Sequence, residues 1–461
     1  MPEVMTNLPG TPARPLRVAV VGAGPSGFYA AEALLKAPGL TVSVDLFDRL
    51  PSPYGLARGG VAPDHQKIKS VTAVYDRVAA DLRVRFFGNV KLGKDVTVAE
   101  LRERYDQIVY AVGCESDRKM GIPGEDLQGS WSATQFVGWY NGHPDYRDLA
   151  FDLSCEAAAV VGIGNVAIDV VRILAQDPDV LAKTDIAAHA LEALRASKVK
   201  RVYLLGRRGP VQAAFSPKEI EEVGEVERAD LVVDEGDLRL DVVSQAGLSD
   251  ATARKNYEYL VEAARKGPGT KELKIIPRFC VSPVELLGKD GKLTAVKLEH
   301  NDLEPDGRGG VKAKGNREYE TLEGVGLLFR SVGYRGVPLP GVPFDEKAGR
   351  IANTDGRVAP GEYAVGWAKR GPSGLIGTNR ACSVATVAAM LEDLKAGRLP
   401  SRPVDPSPDA TPELLALKGA RPVSFAEWKS LDAMEVAAGR KAGKIREKFS
   451  RVSEMLEALT P

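Results

Sequence analysis

Two stretches of this chain repeat one pattern: an apolar strand, a glycine-rich turn and an apolar helix. In the first, Val18-Ala19-Val20-Val21 leads into Gly22-Ala23-Gly24-Pro25-Ser26-Gly27 and a helical run through Leu35. In the second, Ala158 to Val161 leads into Gly162-Ile163-Gly164-Asn165-Val166-Ala167 and another helical run. The two copies extend from Arg17 to about Lys36 and from Ala157 to about Gln176. A strand that passes through G-x-G-x-x-G/A into a helix opens a βαβ unit of the dinucleotide-binding kind. Strand and helix patterns alternate between the copies, which predicts an α/β chain with doubly wound parallel sheets. At 461 residues the chain exceeds one ordinary core, so each copy is expected to found its own domain.

The spacing of the first copy explains each glycine. Gly22 permits the tight turn, Gly24 lets backbone approach a pyrophosphate, and Gly27 lets the helix lie close on its strand. The helix N-terminus offers free N–H groups and the positive end of its dipole to phosphate. A second strand, Val42 to Phe47, runs into Asp48. That is about twenty residues past the loop, where a carboxylate accepts hydrogen bonds from ribose hydroxyls.

In the second copy Ala167 replaces the third glycine, an accepted variant. The strand Arg201 to Leu205 then ends in Gly206-Arg207-Arg208, with no acid. A carboxylate there would repel a 2′-phosphate. Paired guanidinium groups offer it charge-assisted, bidentate hydrogen bonds. The second site is therefore expected to prefer NADP(H) to NAD(H).

Several other functions lose support. Lys plus Arg and Asp plus Glu both number 62, which gives no bulk attraction to nucleic acid or membrane. No apolar run approaches the roughly 18 residues of a membrane span. The segment Met1 to Leu16 is broken by Pro2, Pro9, Pro12 and Pro15 and reads as a disordered lead-in, not a secretory signal. The four cysteines, Cys114, Cys155, Cys280 and Cys382, form no C-x-x-C pair. That argues against a disulfide reductase and a zinc knuckle, predicts no metal site, and fits a reducing cytoplasm.

The rest of the chain is less marked. Tyr105 to Gly113 reads as an apolar strand ending at Ala-Val-Gly, and Asp230 to His300 as a strand-rich elaboration of the second module. Gly307 to Gly315 reads as a hairpin tip or exposed loop. Pro400, Pro403, Pro406, Pro408 and Pro412 mark a connection to Phe425–Leu459, a helical segment expected to pack back on the body.

With both loops and the arginine pair in view, the chain resembles the ferredoxin–NADP reductases of the adrenodoxin reductase type, from about Arg17 to the C-terminus. The most specific segments are Tyr54 to Ser70, Gly206 to Phe215 and Val365 to Asn379, joined by Phe136 to Pro144. The resemblance implies an FAD domain built from residues 1–117 and 333–461, with an NADP domain, 118–332, inserted in it. It implies FAD against Gly22, Gly24, Ser26, Gly27, Asp48, Leu56, Val90, Trp367, Gly374, Leu375 and Ile376. It implies NADP against Ile163, Gly164, Asn165, Val166, Arg207, Arg208, Glu219 and Gly374. His65 and Glu222 match a polar pair near the flavin, the candidates for catalytic roles; His65 would relay a proton, bridge to Glu222, or serve as a hydrogen-bonded structural residue. There are departures: Asp48 stands where Glu is usual and Gln66 where Pro is usual, and Pro217 and Lys218 precede Glu219.

The implied activity is electron transfer between NADP(H) and a one-electron iron–sulfur carrier such as ferredoxin, by hydride transfer from NADPH to flavin N5 and then single-electron steps. Gly371 to Gly374 is expected to precede a helix beginning near Thr378, with its backbone N–H groups facing charge that builds on the flavin. Such carriers are acidic, so docking is expected on a basic face. Lys67, Lys69, Lys369 and Arg370 lie in segments near the expected flavin. Two rival readings stay open: an NADPH-supplying flavoprotein subunit of a larger complex, and a non-catalytic NADP-sensing flavoprotein.

Overall fold

The computed structural model of the protein describes residues 9–307, 310–374, 376–400, 404–405 and 407–460. Two six-stranded sheets carry the architecture. In spatial order the first is Arg357–Ala359, Glu362–Ala364, Gln107–Tyr110, Leu16–Val21, Val42–Phe47, Val84–Phe87. All its pairings are parallel except that between the two strands drawn from the C-terminal half. The second sheet, Ser130–Ser132, Val325–Arg330, Ala157–Val161, Arg201–Leu205, Leu273–Arg278, Ala229–Leu231, is parallel throughout. Where the chain crosses between the sheets, Ser116–Asp117 pairs antiparallel with Tyr334–Arg335.

Parallel strands are covered on both faces, so their sequences read as unbroken apolar runs. Leu16–Val21 is buried at every position. Its side chains alternate: Val18 and Val20 enter one core, Ala19 and Val21 the other. Ala157–Val161 divides its side chains in the same way, Ala158 and Val160 against the helices and the rest toward a three-stranded antiparallel sheet. That sheet, Val281–Lys289, Lys292–Pro305 and Val311–Glu323, is the elaboration expected after the second module.

Some local expectations are corrected. The strand-rich stretch 230–300 also holds two helices that were not expected, Val242–Gly247 and Ala251–Lys266, capped by the side chains of Asp241 and Asp250. The longer one stops at Gly267, whose φ of +73° ends the helical run. Val311 to Gly315 are strand, since strand Val311–Glu323 has already resumed there; Arg308 and Gly309 lie outside the described residues. The helix expected near Thr378 starts at Ile376. Residues 9–15 are tied down, with Gly10 N–H donating to the Arg14 carbonyl and Arg14 paired to Asp106 at 2.8 Å. Residues 1–8, and Pro403 and Pro406 of the proline-rich connection, lie outside the described residues.

The C-terminal segment is two helices, Phe425–Lys441 and Val452–Ala458, and it packs on both modules. Trp428, fully buried, donates its indole N–H to the Tyr54 hydroxyl at 3.2 Å. Buried Glu435 accepts from Arg58 at 2.9 Å and from Arg446 at 3.0 Å. Farther on, Lys448 reaches Asp185 at 3.0 Å, in the second module.

Candidate functional site

At the first glycine loop, Gly22 has φ +109°, and a Cβ there would stand 2.5 Å from the Ala111 carbonyl oxygen. At Gly27 a Cβ would meet the Gly22 carbonyl oxygen at 2.1 Å, so helix Pro25–Leu35 sits directly on its own turn. Ahead of Gly24 no atom comes nearer than 3.8 Å to a Cβ position, which leaves the loop open on its phosphate side. Asp48 closes the other side: its carboxylate accepts the N–H groups of Ala23 at 2.9 Å and Leu50 at 3.0 Å. Burial pushes this carboxyl up to about 6 against the pull of those two N–H groups. Each oxygen keeps a lone pair for a hydroxyl donor.

The other expected FAD residues collect around this loop. Val90 N–H donates to the Asp48 carbonyl at 2.8 Å. Leu56 opens a short helix after Gly55 and is 38% exposed. Ser26 is buried against Gly366, and its carbonyl accepts the Ser383 hydroxyl at 3.0 Å. Trp367 follows in helix Gly366–Arg370; its ring lies 5.3 Å from that of Tyr334, and its buried indole N–H has no partner among the described residues. Gly374 has φ +80°, and Arg370 spans its loop by donating to the Ser373 carbonyl at 2.5 Å and to Asn379 at 2.7 Å. Ile376 begins the next helix, while Leu375 lies outside the described residues.

The second loop repeats the geometry. Gly164 caps helix Asn165–Ala175, and a Cβ on it would meet nothing within 4 Å. The Ile163 side chain packs beneath Gly206, which brings the arginine turn beside the loop. Arg207 is exposed and Arg208 half-buried, and neither guanidinium has a carboxylate partner among the described residues. Burial and the neighbouring Arg207 charge hold Arg208 below its ordinary value. Two unneutralised cations side by side are an anion site in waiting. Asn165 Oδ1 accepts the Ser216 N–H at 3.1 Å, and Val166 is half-buried beside it.

Between the loops lies a charged cluster. Helix Pro217–Gly224, capped by Ser216, presents Glu219 and Glu222. Glu222 meets His65 Nε2 at 2.9 Å and Lys218 at 3.0 Å. Burial raises the Glu222 carboxyl, but those hydrogen bonds outweigh it and hold the group below its ordinary value. Glu219 is held above its ordinary value by burial and by the Asp169 carboxylate, and one of its oxygens is buried without a partner. Asp169 stands 3.8 Å from His65 Nδ1 and accepts from Arg172 at 2.6 Å; Arg172 also pairs with Asp64. Donor atoms of His65, Asp169 and Glu219 lie within 4.8 Å of one another.

Asp64, Asp169, Arg172 and Tyr334 were not singled out from the sequence. One signal was available for two of them: Asp169 and Arg172 are charged residues, three apart, in the otherwise apolar helix NVAIDVVRILA. Of the four basic residues in segments near the expected flavin, Lys69 is closed to docking. It is buried and paired to Asp185 at 2.7 Å, so it cannot meet a partner, whereas Lys67 is exposed. Lys369 spends its ammonium on the Asp355 carbonyl and the Thr386 hydroxyl, both at 3.1 Å.

The sequence model of the family described as pyridine nucleotide-disulphide oxidoreductase matches residues 16–229. NADPH-ferredoxin reductase FprA of Mycobacterium tuberculosis is 45% identical over 453 residues, covering 96% of this chain and 99% of its own. Mitochondrial NADPH:adrenodoxin oxidoreductase of Salvelinus fontinalis is 43% identical, covering 97% of this chain and 92% of its own. The solved structure of Mycobacterium tuberculosis FprA in complex with NADPH superposes with a TM-score of 0.92 at 44% identity, over 97% of this chain and 100% of that one. Identity at this level over nearly the whole of each chain, with both glycine loops intact, means that the chain belongs to the family of NADPH-ferredoxin and NADPH:adrenodoxin reductases, the ferredoxin–NADP reductases of the adrenodoxin reductase type.

Proposed function

We propose that the protein is an FAD-dependent oxidoreductase of the cytoplasm that moves electrons between NADP(H) and a one-electron iron–sulfur carrier of the ferredoxin kind. One contrast carries the reading. The strand after the first glycine loop ends in a carboxylate, Asp48, and the strand after the second ends in two unpaired guanidinium groups, Arg207 and Arg208. One loop suits a free ribose diol and the other a 2′-phosphate. We assign FAD to the part formed by 1–117 and 333–461, and NADP to 118–332.

The residues fit both groups: open space stands before Gly24 and Gly164, Asp48 retains acceptor capacity, and the buried Trp367 indole N–H lacks a partner among the described residues. Bound flavin supplies the conversion between a hydride donor and a one-electron carrier. The chain positions and shields. Backbone N–H groups at the starts of helices Pro25–Leu35 and Asn165–Ala175 receive the two pyrophosphates. Arg207 and Arg208 hold the 2′-phosphate. Trp367 against Tyr334 excludes water from the junction. Glu222 fixes the His65 imidazole through Nε2, so that a proton is held at the junction by a ring that cannot rotate freely. Gly374, where φ of +80° and the Thr378 side chain exclude a Cβ, would lie beside the nicotinamide; the Gly371 and Ser373 N–H groups donate to the Trp367 and Gly371 carbonyls, both at 2.8 Å, so neither is left for the flavin.

The test is a visible absorption spectrum of the purified protein, followed by anaerobic titration with NADPH and, separately, NADH. Flavin bands should bleach far more readily with NADPH. Arg207→Ala with Arg208→Ala should lower NADPH efficiency by about 10²-fold or more and leave NADH nearly unchanged, because charge-assisted hydrogen bonds contribute about 1.5–3 kcal/mol each. Absence of flavin after reconstitution with FAD, or equal bleaching by NADH, would overturn the proposal.

A further inference from the structure

The turn Gly206–Gly209 presents two like charges with no carboxylate partner among the described residues, yet its backbone is held at three consecutive carbonyls. Val281 N–H donates to the Gly206 carbonyl at 2.9 Å, and Cys280 N–H to that of Arg208 at 3.1 Å. The middle carbonyl, Arg207, accepts from a side chain: Asn301 Nδ2, at 3.0 Å. The same amide donates to Ser282 Oγ at 2.9 Å, and the backbone N–H of Asn301 donates to the Cys280 carbonyl at 2.7 Å. Asn301 is buried, 9% exposed, in the long strand Lys292–Pro305, where the register slips between Glu299 and Asn301. Cys280 has φ +54°, a left-handed conformation that a side chain rarely adopts. Slip and strain together place the carboxamide under the turn.

We infer that Asn301 is a specificity-determining positioning residue: its carboxamide, with the Cys280 backbone, clamps the turn so that Arg207 and Arg208 both stay open for a 2′-phosphate. The inference rests on the reading of this turn as the NADP(H) site. Adjacent guanidinium groups repel, so an unclamped turn would relax by swinging one of them away. A ligand would then have to reassemble the pair at a cost in ordering entropy. No carboxylate forms an ion pair with either arginine among the described residues, and Asp237, the acid near Cys280 that has a cationic partner, is engaged by Arg278 at 2.7 Å. The antiparallel sheet thus gives the second glycine loop a rigid arginine fork.

The test uses flavin-loaded protein and two probes that differ by one phosphate, adenosine 2′,5′-bisphosphate and 5′-AMP, titrated by calorimetry. Asn301→Leu, nearly the same in size, should weaken bisphosphate binding about 5- to 30-fold and leave 5′-AMP within about twofold, as expected for one lost buried hydrogen bond that orients two cations. Asn301→Ser should do the same, and the NADPH-over-NADH preference should fall by the same factor. Ser282→Ala leaves the Arg207 contact in place and should change nothing beyond about twofold. Unchanged bisphosphate affinity in both Asn301 variants, or equal loss with both probes, would overturn the inference. In the unmutated protein, the Cys280 and Asn301 N–H groups should be protected from hydrogen exchange before any ligand is added; protection that appears only with the bisphosphate also overturns it. If Arg207→Ala with Arg208→Ala leaves bisphosphate affinity unchanged, the reading of the 2′-phosphate site itself fails, which is a separate outcome.

Discussion

Gly27 admits no side chain, since its Cβ would fall 2.1 Å from the Gly22 carbonyl oxygen, a backbone atom that cannot yield without reopening the turn. Gly27→Ala is expected to cost about 1–3 kcal/mol or more and to lower the flavin-to-protein ratio of the purified protein, read from its absorbance. His189 makes a pH-dependent contribution. Burial, seconded by the Arg147 charge, pushes it down to about 4, and its Nε2 lies 3.0 Å from the Trp139 carbonyl. The unfolded chain binds this proton near the ordinary value of 6.5 and the folded chain near 4, so the contribution is full above about pH 6.5 and is lost as pH falls toward 4. With partial exposure discounted, about 1–2 kcal/mol is at stake. His189→Gln should flatten the melting temperature across that window. Residues of this kind divide by legibility. The places of Asp48, Arg207 and Arg208 at the ends of strands were readable because they depend on short-range spacing after a glycine loop. The cluster of Asp64, Asp169 and Arg172 was not, because it depends on helix Asn165–Ala175 meeting the His65 segment from the other module.

Helix Pro217–Gly224 is eight residues long, and its cap decides where two carboxylates point. Ser216 Oγ accepts the Glu219 N–H, Pro217 fits the first position because it needs no donor, and Glu222 follows one turn later against His65. Ser216→Ala should lower stability by about 1 kcal/mol in denaturant melts. The departure at Pro217 and Lys218 is thus accommodated: one residue starts the helix and the other pairs with Glu222. Strands of the two parallel sheets were legible because burial on both faces writes a continuous apolar run. Helix Ala251–Lys266 was not, because it buries only the narrow stripe of Asn256, Leu260 and Ala263 beneath a charged surface.

At the level of the whole molecule, the two modules are joined by more than their crossing strands. Lys448 and Lys69 both approach Asp185, at 3.0 and 2.7 Å, so the C-terminal segment and the His65 segment share one carboxylate in the second module. The surface keeps Lys67 exposed near the junction, while the equal numbers of acids and bases leave no net charge. Attraction of the acidic carrier proposed above would therefore arise from local charge and be screened by salt. Turnover with a ferredoxin should fall as ionic strength rises about tenfold from low salt, and constant turnover across that range would speak against a basic docking face.

The topology also sets an order of birth on the ribosome. Gln107–Tyr110 is a central strand of the first sheet, yet its neighbour Glu362–Ala364 emerges roughly 250 residues later, about 12–50 s at the usual pace of synthesis. All six strands of the second sheet, from Ser130 to Arg330, are made within that interval. The nascent chain thus carries an unfinished sheet with one bare flank while the later-coded module closes.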